Sequence, residues 1–281
     1  MNYLTGYTIK PYEITSLGEV VFTDGTNNAI QPNQSQCEAY GYTYDRASGT
    51  CSAFRFNTNL DRTLSNINNK NNGSGNTNQL GANTIQVNGT LNTTRGFNNN
   101  CFINGSSNEI ANGVNNATVF GLKGEATATN SIVLGGNAAI DVLGTRQSIT
   151  LMYGTLTDDN TLTNSYLNNT ADSFFTIPEQ TLVSFRSETV AVRIGGSAGA
   201  GAVGDFKAWV ERGVAIKRSG SDLIIDSGRD VIANTGTTAG WVPAVAGDGN
   251  NFLQTVKGAN NRDIMWATTI TFTQINTGVD L

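Results

Sequence analysis

A short internal repeat is the feature that most restricts the fold of this chain. The segment Thr118-Val119-Phe120-Gly121 recurs as Ile132-Val133-Leu134-Gly135, and each copy follows an asparagine and a small residue. The period from Val119 to Val133 is 14 residues, which leaves room for one strand and one turn. Such a unit cannot bury its apolar face alone and must stack on neighbouring copies. The repeat therefore predicts a β-solenoid or β-roll shaft, with a plain pair of similar hairpin strands as the alternative.

The sequence around the second copy resembles a known structural repeat. The passage that carries the resemblance is Ala126-Thr127-Ala128-Thr129-Asn130-Ser131-Ile132-Val133-Leu134-Gly135. It is similar to the head repeat of trimeric autotransporter adhesins, which is also found in phage fibres. The resemblance covers about residues 116–137, with a looser coil expected at 103–113. It implies a left-handed parallel β-roll shared by three chains.

The composition of the 281-residue chain favours an all-β fold with many turns. Glycine is abundant (32 residues), proline is scarce (4 residues), and only 14% of the residues are charged. Glycine and asparagine, which is also abundant, are poor helix formers and good turn residues. No long amphipathic helix is expected.

The absence of histidine restricts the chemistry that the chain can perform. Ser-His-Asp and Cys-His arrangements are excluded, as are the usual zinc and iron ligand sets, so we expect no metal site and no cofactor. Carboxylate chemistry remains, and the available acidic residues are Asp158-Asp159, Asp222 and Asp226. Turn formation is the commoner role of such residues. The sequence therefore predicts a protein that is not an enzyme.

Charge and hydropathy bear on partners and location. The net charge is −5 and the isoelectric point is near 4.8, with the basic residues scattered, so no nucleic-acid partner is expected. Residues 1–6 lack the basic start and apolar core of a secretory signal. No apolar run reaches the roughly 20 residues of a membrane span, so no membrane insertion is expected. These observations favour a protein assembled in the host cytoplasm and carried on the surface of a virion.

Two of the three cysteines are candidates for a disulfide. Cys37 and Cys51 bracket a segment with Tyr-x-Tyr alternation and a Ser48-Gly49 turn, which predicts a hairpin whose ends a disulfide would close. A buried reduced pair is an equal alternative, because chains that fold in the cytosol keep free thiols. Cys101 has no evident partner and is expected to be a small core residue.

Changes of composition along the chain predict four regions. Residues 1–57 are rich in aromatic residues and are expected to be an N-terminal attachment module. Residues 58–82 contain an Asn/Gly-rich stretch with almost nothing to bury, which is typical of a flexible linker. Residues 83–145 are expected to form the shaft, with asparagine ladders between its coils. Residues 146–281 contain longer alternating strands, which indicate an antiparallel β-sandwich knob.

The last region resembles the C-terminal tip domain of phage tail fibres over about residues 180–276. The resemblance rests on a strand with Phe206 and Trp209, on the segments 214–218 and 239–241, and on a strand at 251–258 followed by Arg262-Asp263-Ile264-Met265-Trp266. The chain departs from that pattern because it lacks a second Gly-Asp-Ser-Gly turn before its last strand.

Ligand contact is expected on loops of this region. Trp241 follows Ala239-Gly240 and is the tryptophan expected to be partly exposed, where it would stack on a sugar. Asn234, Asp248 and Asn250 lie in the neighbouring turns and complete the candidate ligand-contact set.

These features together imply a homotrimeric phage fibre. We expect the N-terminal module to bind other virion proteins, in the capsid or the tail, and the knob to recognise a host-surface glycan or protein. One alternative is a capsid-attached head fibre or decoration protein with a weak adhesive role. A polysaccharide-cleaving spike is a second alternative, and a bacterial surface adhesin is disfavoured by the missing export signal.

Overall fold

The structure is a computed structural model that describes residues 9–15, 18–46, 48–53, 68–197 and 200–280. The chain divides into two compact units, residues 1–64 and residues 65–281. Each unit is described separately. β-strands are the main regular secondary structure of both, so the predicted all-β class is confirmed.

The N-terminal unit contains two small antiparallel hairpins and one short helix. Its elements are β1 (Lys10–Ile14), β2 (Val20–Thr23), α1 (Gln34–Ala39), β3 (Thr43–Asp45) and β4 (Thr50–Ser52). The sequence analysis did not predict α1. It begins at Asn33, whose side chain accepts a hydrogen bond from the amide of Gln36, while the Gln36 side chain accepts one from the amide of Asn33.

The core of this unit is aromatic and contains a disulfide. Phe22 is fully buried, and the rings of Tyr40 and Tyr42 meet it edge-on at 5.5 and 6.5 Å. Cys37 on α1 is joined to Cys51 on β4, with their Cα atoms 5.7 Å apart. The hairpin predicted between the cysteines is shorter than expected, because the first cysteine lies on the helix. Four aromatic residues of the predicted N-terminal module lie outside the described residues, namely Tyr3, Tyr7, Phe54 and Phe56.

Residues 70–136 form a β-solenoid of about four turns. Its first face consists of parallel strands β5 (Lys70–Asn72), β7 (Asn83–Thr90), β9 (Asn99–Ser106), β11 (Thr118–Leu122) and β13 (Ile132–Gly136). Its second face consists of the two-residue strands β6 (Thr77–Asn78), β8 (Thr93–Thr94), β10 (Glu109–Ile110) and β12 (Glu125–Ala126). Each coil thus contributes one strand to each face.

The register shows where the sequence repeat holds and where it changes. Val119 pairs with Val133, as the 14-residue repeat predicted. Earlier coils are 16 residues long, because Val87 pairs with Ile103 and Ile103 pairs with Val119. The looser coil expected at 103–113 is therefore one of these longer coils. The 16-residue coils have the same fold as the 14-residue coil, but they do not repeat its sequence motif.

The solenoid begins earlier than the predicted linker boundary allowed. Residues 70–82, assigned from composition to a flexible linker, form the first coil, and β5 pairs with β7 in parallel register. The Asn72 side chain donates to that of Asn88 at 2.7 Å. The asparagines that suggested a linker are thus paired with the next coil. Residues 58–67 of the predicted linker lie outside the described residues.

A ladder of asparagine side chains runs through the buried corners of the coils. Asn92 donates from its amide side chain to Asn76 Oδ1 at 3.0 Å, and Asn108 donates in the same way to Asn92 Oδ1 at 3.1 Å. Each also donates to a glycine carbonyl of the next coil, at 2.9 Å to Gly105 and Gly121 respectively. The ladder satisfies backbone groups that the sharp corners leave unpaired.

Residues 146–276 form two antiparallel layers that continue the solenoid. Their strands are β14 (Arg146–Thr157), β15 (Leu162–Leu167), β16 (Phe175–Thr176), β17 (Thr181–Arg193), β18 (Phe206–Lys217), β19 (Ile224–Asn234), β20 (Val242–Asp248), β21 (Asn251–Lys257) and β22 (Ile264–Asn276). The large sheet has the order β19-β18-β17-β22-β14, and a covering layer is formed by β15, β16, β20 and β21.

The structure does not separate the shaft from the C-terminal layers at residue 145. β14 pairs antiparallel with β13, so the large sheet runs on from the first face of the solenoid. One apolar core extends from Val119 in the coils to Ile149 on β14 and to an aromatic group between the layers. In that group the ring of Phe252 lies 5.0 Å from the rings of both Phe185 and Phe272. Coils and layers therefore form one packed body.

Candidate functional site

The tryptophan expected to stack on a sugar is not available at the surface. Trp241 is fully buried and packs with its ring 6.4 Å from that of Trp266, which in turn stacks on Trp209 at 5.7 Å. The expected exposure of Trp241 is thus corrected. The Ala239-Gly240 turn brings the chain into the layers instead of out of them, where the ring completes a core of three indoles.

The other three candidate residues do not lie together. Asn234 is exposed at the end of β19, where it pairs with Lys207. Asp248 and Asn250 lie at the β20–β21 turn, at the opposite end of β20 from Trp241. The seven residues of β20 separate the two ends by roughly 20 Å. These positions therefore do not form one site, and ligand contact at the individual loops stays a prediction.

A groove lies where the coils meet the covering layer, and we call it the Phe174 groove. Its volume is about 490 Å³. The coil corners at 112–114 and 127–129 form one wall, and the segment 173–178 forms the other. The ring of Phe174 packs on Tyr166 at 5.6 Å, which fixes its position at the groove. The lining side chains that present hydroxyl or amide groups are Asn112, Thr127, Thr129, Ser173 and Thr176.

Left-handed backbone at the corners positions these walls. Gly113 and Asn130 have φ of 75° and 58°, a region that glycine and asparagine adopt at the least cost. The turn after β15 is tied to the corner by Asn168, which donates from its side chain to the carbonyl of Thr129 at 2.8 Å. This hydrogen bond links the two sides of the groove.

A pair of carboxylates lies on the same coils, and we call it the carboxylate ladder. Glu109 on β10 and Glu125 on β12 are register partners on adjacent coils. Arg95 forms an ion pair with Glu109 at 2.6 Å. Burial, and secondarily the charge of Glu109, raises the pKa of Glu125 above its usual range, while Arg95 opposes this. Glu125 therefore holds a proton more firmly than an exposed glutamate does.

The ladder is close to the groove wall along the chain, although neither glutamate lines the groove. Glu125 lies two and four residues before Thr127 and Thr129 of the groove wall, and Glu109 lies three residues before Asn112. Two carboxyl groups are required for general acid and base steps at a glycosidic bond, and the raised pKa of Glu125 suits the acid. The sequence analysis did not select either glutamate, because it looked for adjacent acids along the chain and these two are 16 residues apart.

The acidic residues that the sequence analysis named have structural roles or no shared site. Asp159 accepts hydrogen bonds from the amide and hydroxyl of Thr161, as a turn residue does. Asp226 lies exposed on β19 and Asp222 precedes that strand. In the described part of the chain, no group of three acidic or cysteine side chains is placed to bind a metal ion. Within the same residues, no helix has the length and apolar character to span a membrane.

Comparisons with known proteins found similarity to phage tailspikes. No family model and no curated protein sequence matches the chain. The tailspike of Acinetobacter baumannii phage AM24 matches with a TM-score of 0.30 and 11% identity over 75% of this chain and 50% of that one. The tailspike of A. baumannii phage Fri1, described as a capsular polysaccharide depolymerase, matches with a TM-score of 0.26 and 7% identity over 70% and 40%. This chain spans half or less of the length of these proteins.

The prediction that the chain is not an enzyme is corrected by this comparison. A matched structure is described as a polysaccharide depolymerase. The prediction relied on the absence of histidine, but glycoside cleavage uses two carboxyl groups and needs no imidazole. It also considered only Asp158-Asp159, Asp222 and Asp226, and did not consider Glu109 and Glu125, which lie on strands of the solenoid.

Proposed function

We propose that this chain is a homotrimeric fibre or spike protein of a phage virion that recognises a host-surface glycan through the Phe174 groove. The observation that carries the proposal is the chemistry of the groove. It combines one aromatic ring with five hydroxyl or amide side chains on rigid walls. A sugar chain presents both C–H faces and hydroxyl groups, so it needs an apolar ring and adaptable hydrogen-bond partners together.

The solenoid suits the role of a display shaft. Its coils stack in parallel through repeated backbone pairing, which produces a stiff rod with few mobile connections. In the proposal, the N-terminal unit binds other virion proteins, and the protein reaches the virion surface after assembly in the host cytoplasm. Immunogold labelling of intact particles distinguishes attachment to the tail from attachment to the capsid, as in a head fibre or decoration protein.

Binding to an array of bacterial capsular and O-antigen glycans tests the recognition site. We expect Phe174→Ala to weaken binding of the retained glycan at least tenfold, because the stacking ring is lost. The matched control is Phe97→Ala, which removes an exposed ring on a different coil corner. Equal binding by wild type and Phe174→Ala would refute this site.

The carboxylate ladder favours a second candidate function, cleavage of the bound glycan. The specific observation is that Glu125, with a raised pKa, is the register partner of Glu109 on the adjacent coil, two residues before Thr127 of the groove wall. Incubation of the same glycans with the wild type would then release new reducing ends. Glu125→Gln and Glu109→Gln should each reduce that release by about 100-fold or more, while Asp172→Asn, an exposed control, should leave it unchanged.

A further inference from the structure

One broad surface of the large sheet has no covering layer in the described residues. It is the side of β13, β14, β22, β17 and β18 that points away from β15, β16, β20 and β21, and we call it the outer face. Its side chains align in rows across the strands, since Val192 pairs with both Phe206 and Met265, and Met265 pairs with Leu156. The large apolar side chains exposed on this face are Ile132, Leu134, Met152, Leu156, Val190, Phe206, Val214, Met265 and Ile275.

The composition of the outer face is unusual for a sheet surface in contact with water. An antiparallel sheet with one solvated face normally alternates apolar residues inside with polar residues outside. Here Leu134 and Met265 point outward and are 57% and 50% exposed, although the opposite face of the same strands is already buried. Polar side chains such as Ser184, Thr271 and Thr273 occupy the middle of this face, and the row of Phe206, Val192, Met265 and Leu156 crosses one end of it. An exposed apolar row of this kind marks an interaction site.

The size of the outer face fits a stable protein–protein contact. Strands β14, β17, β18 and β22 have 12 to 13 residues each, which corresponds to a length of about 40 Å. Four strands at a spacing of about 4.8 Å, with part of β13, cover roughly 800 Å². Stable interfaces bury about 800 Å² on each partner.

One arginine in the middle of the outer face has no ion-pair partner among the described residues of its own chain. Arg186 and Arg212 are direct cross-strand partners and both point outward. Glu188 forms an ion pair with Arg186 at 2.7 Å. No ion-pair partner of Arg212 is present among the described residues. Like charges directly opposite each other destabilise a sheet, and the Glu188 of a second copy would supply the carboxylate that Arg212 lacks.

We propose that the outer face is the surface through which copies of this chain associate, with a second copy as its occupant. The apolar rows are then buried between chains, and the Arg186, Glu188 and Arg212 cluster lies at the contact. This inference rests on the proposed function only for the number of copies, which is three. It leaves the Phe174 groove, on another surface of the coils, accessible to a glycan.

Light scattering on the purified full-length protein tests this inference with matched leucine variants. Leu134→Asp places a charge on the outer face, and Met265→Asp does so on another strand. Leu162→Asp places the same charge at a leucine of similar exposure, 63%, on β15 of the covering layer. We expect wild type and Leu162→Asp to have three times the chain mass, 29.7 kDa. Both outer-face variants should associate roughly 100-fold more weakly, because a charge would be buried at the contact.

The outcomes separate this inference from the proposed function. A trimeric wild type with trimeric Leu134→Asp and Met265→Asp would overturn the outer face as the contact and leave the trimer standing. Equal dissociation of Leu134→Asp and Leu162→Asp would also overturn it. A monomeric wild type would overturn both the contact and the trimer, whereas the glycan array tests the groove independently. Circular dichroism of the dissociated variants must show the wild-type strand content, and Leu134→Ser is the milder variant if Leu134→Asp fails to fold.

Discussion

The coils and the C-terminal layers are both sheets, but they are held together in different ways. In the coils each strand pairs with one 14 or 16 residues away, and buried asparagines repeat at the corners. In the layers the pairing is distant, since Thr150 on β14 lies beside Thr271 on β22, 121 residues later. The largest buried side chains there are aromatic, whereas those of the coils are aliphatic, such as Ile85 and Ile103. The comparison indicates that polar corner contacts add to a small aliphatic core in the coils, whereas burial of large aromatic groups stabilises the layers.

Because the sheet and the apolar core continue from coils to layers, we expect residues 68–280 to unfold in one transition. The following substitutions test this expectation together with the contrast between the two regions. Protein concentration must be held constant throughout, since association contributes to the stability of an oligomer.

Loss of an aromatic ring between the layers should have the largest effect. Phe252→Ala removes a buried ring that contacts two others, so we expect a loss of about 3–5 kcal/mol in the free energy of unfolding. Urea denaturation followed by tryptophan fluorescence and circular dichroism measures it. Phe97→Ala, at an exposed ring in the coils, should cost less than about 1 kcal/mol. If the layers unfold separately from the coils, the two probes will give different midpoints.

A methyl group at one glycine of the coils should cost nearly as much. Gly105 has φ of +144°, and a Cβ there would lie 1.9 Å from the carbonyl oxygen of Gly121 on the next coil. We expect Gly105→Ala to destabilise the fold by about 3 kcal/mol or more, since the stacked backbones must separate. Gly113→Ala is the control, with φ of +75° and open space around it, and should cost about 1 kcal/mol. Equal thermal shifts for the two variants would contradict the close stacking of the coils.

The asparagine ladder should contribute less than either of these. Asn108 bonds to Asn92, to the carbonyl of Gly121 and to the amide of Gly124. Asn108→Ala leaves these buried groups unpaired, so we expect a loss of about 1–3 kcal/mol. Asn104→Ala, at an exposed position on β9, should change stability by less than about 0.5 kcal/mol. A similar cost at both positions would show that the ladder does not stabilise the coils.

The sequence predicted the coils from residue 83 onward and missed the first coil, at 70–82. Val119 and Val133 were recognisable because they stand in similar segments, and their pairing was predicted correctly. The coil at 70–82 has little apolar character, and its asparagine side chains bond to one another and to backbone groups. Composition alone does not distinguish such a ladder from a linker, because the same residues serve both.

The candidate sites were harder to predict because they depend on register between distant residues. Trp241 follows a glycine turn, and only the packing of Trp209 and Trp266 shows that the turn leads into the core. Glu109 and Glu125 become neighbours through the 16-residue length of their coil, whereas the repeat visible in the sequence has a period of 14. The long strands of the layers were predictable from their alternation, but their order in the sheet was not.

The smallest expected effect is a pH-dependent change in stability at Glu125 of the carboxylate ladder. The raised pKa of Glu125 means that the folded state binds its proton more tightly than the unfolded state does. Glu125 therefore lowers stability progressively as the pH rises from its usual pKa of 4.5 through the raised folded value. Glu125→Gln removes this destabilising ionisation, so the variant should be more stable than wild type at pH 7 and equally stable below about pH 4.

Thermal unfolding between pH 4 and 8 measures the difference in stability between Glu125→Gln and wild type, with Asp172→Asn as an exposed control for the change of net charge. A difference that stays constant with pH would show that Glu125 has the same proton affinity in both states, and would remove the raised pKa on which its proposed acid role depends.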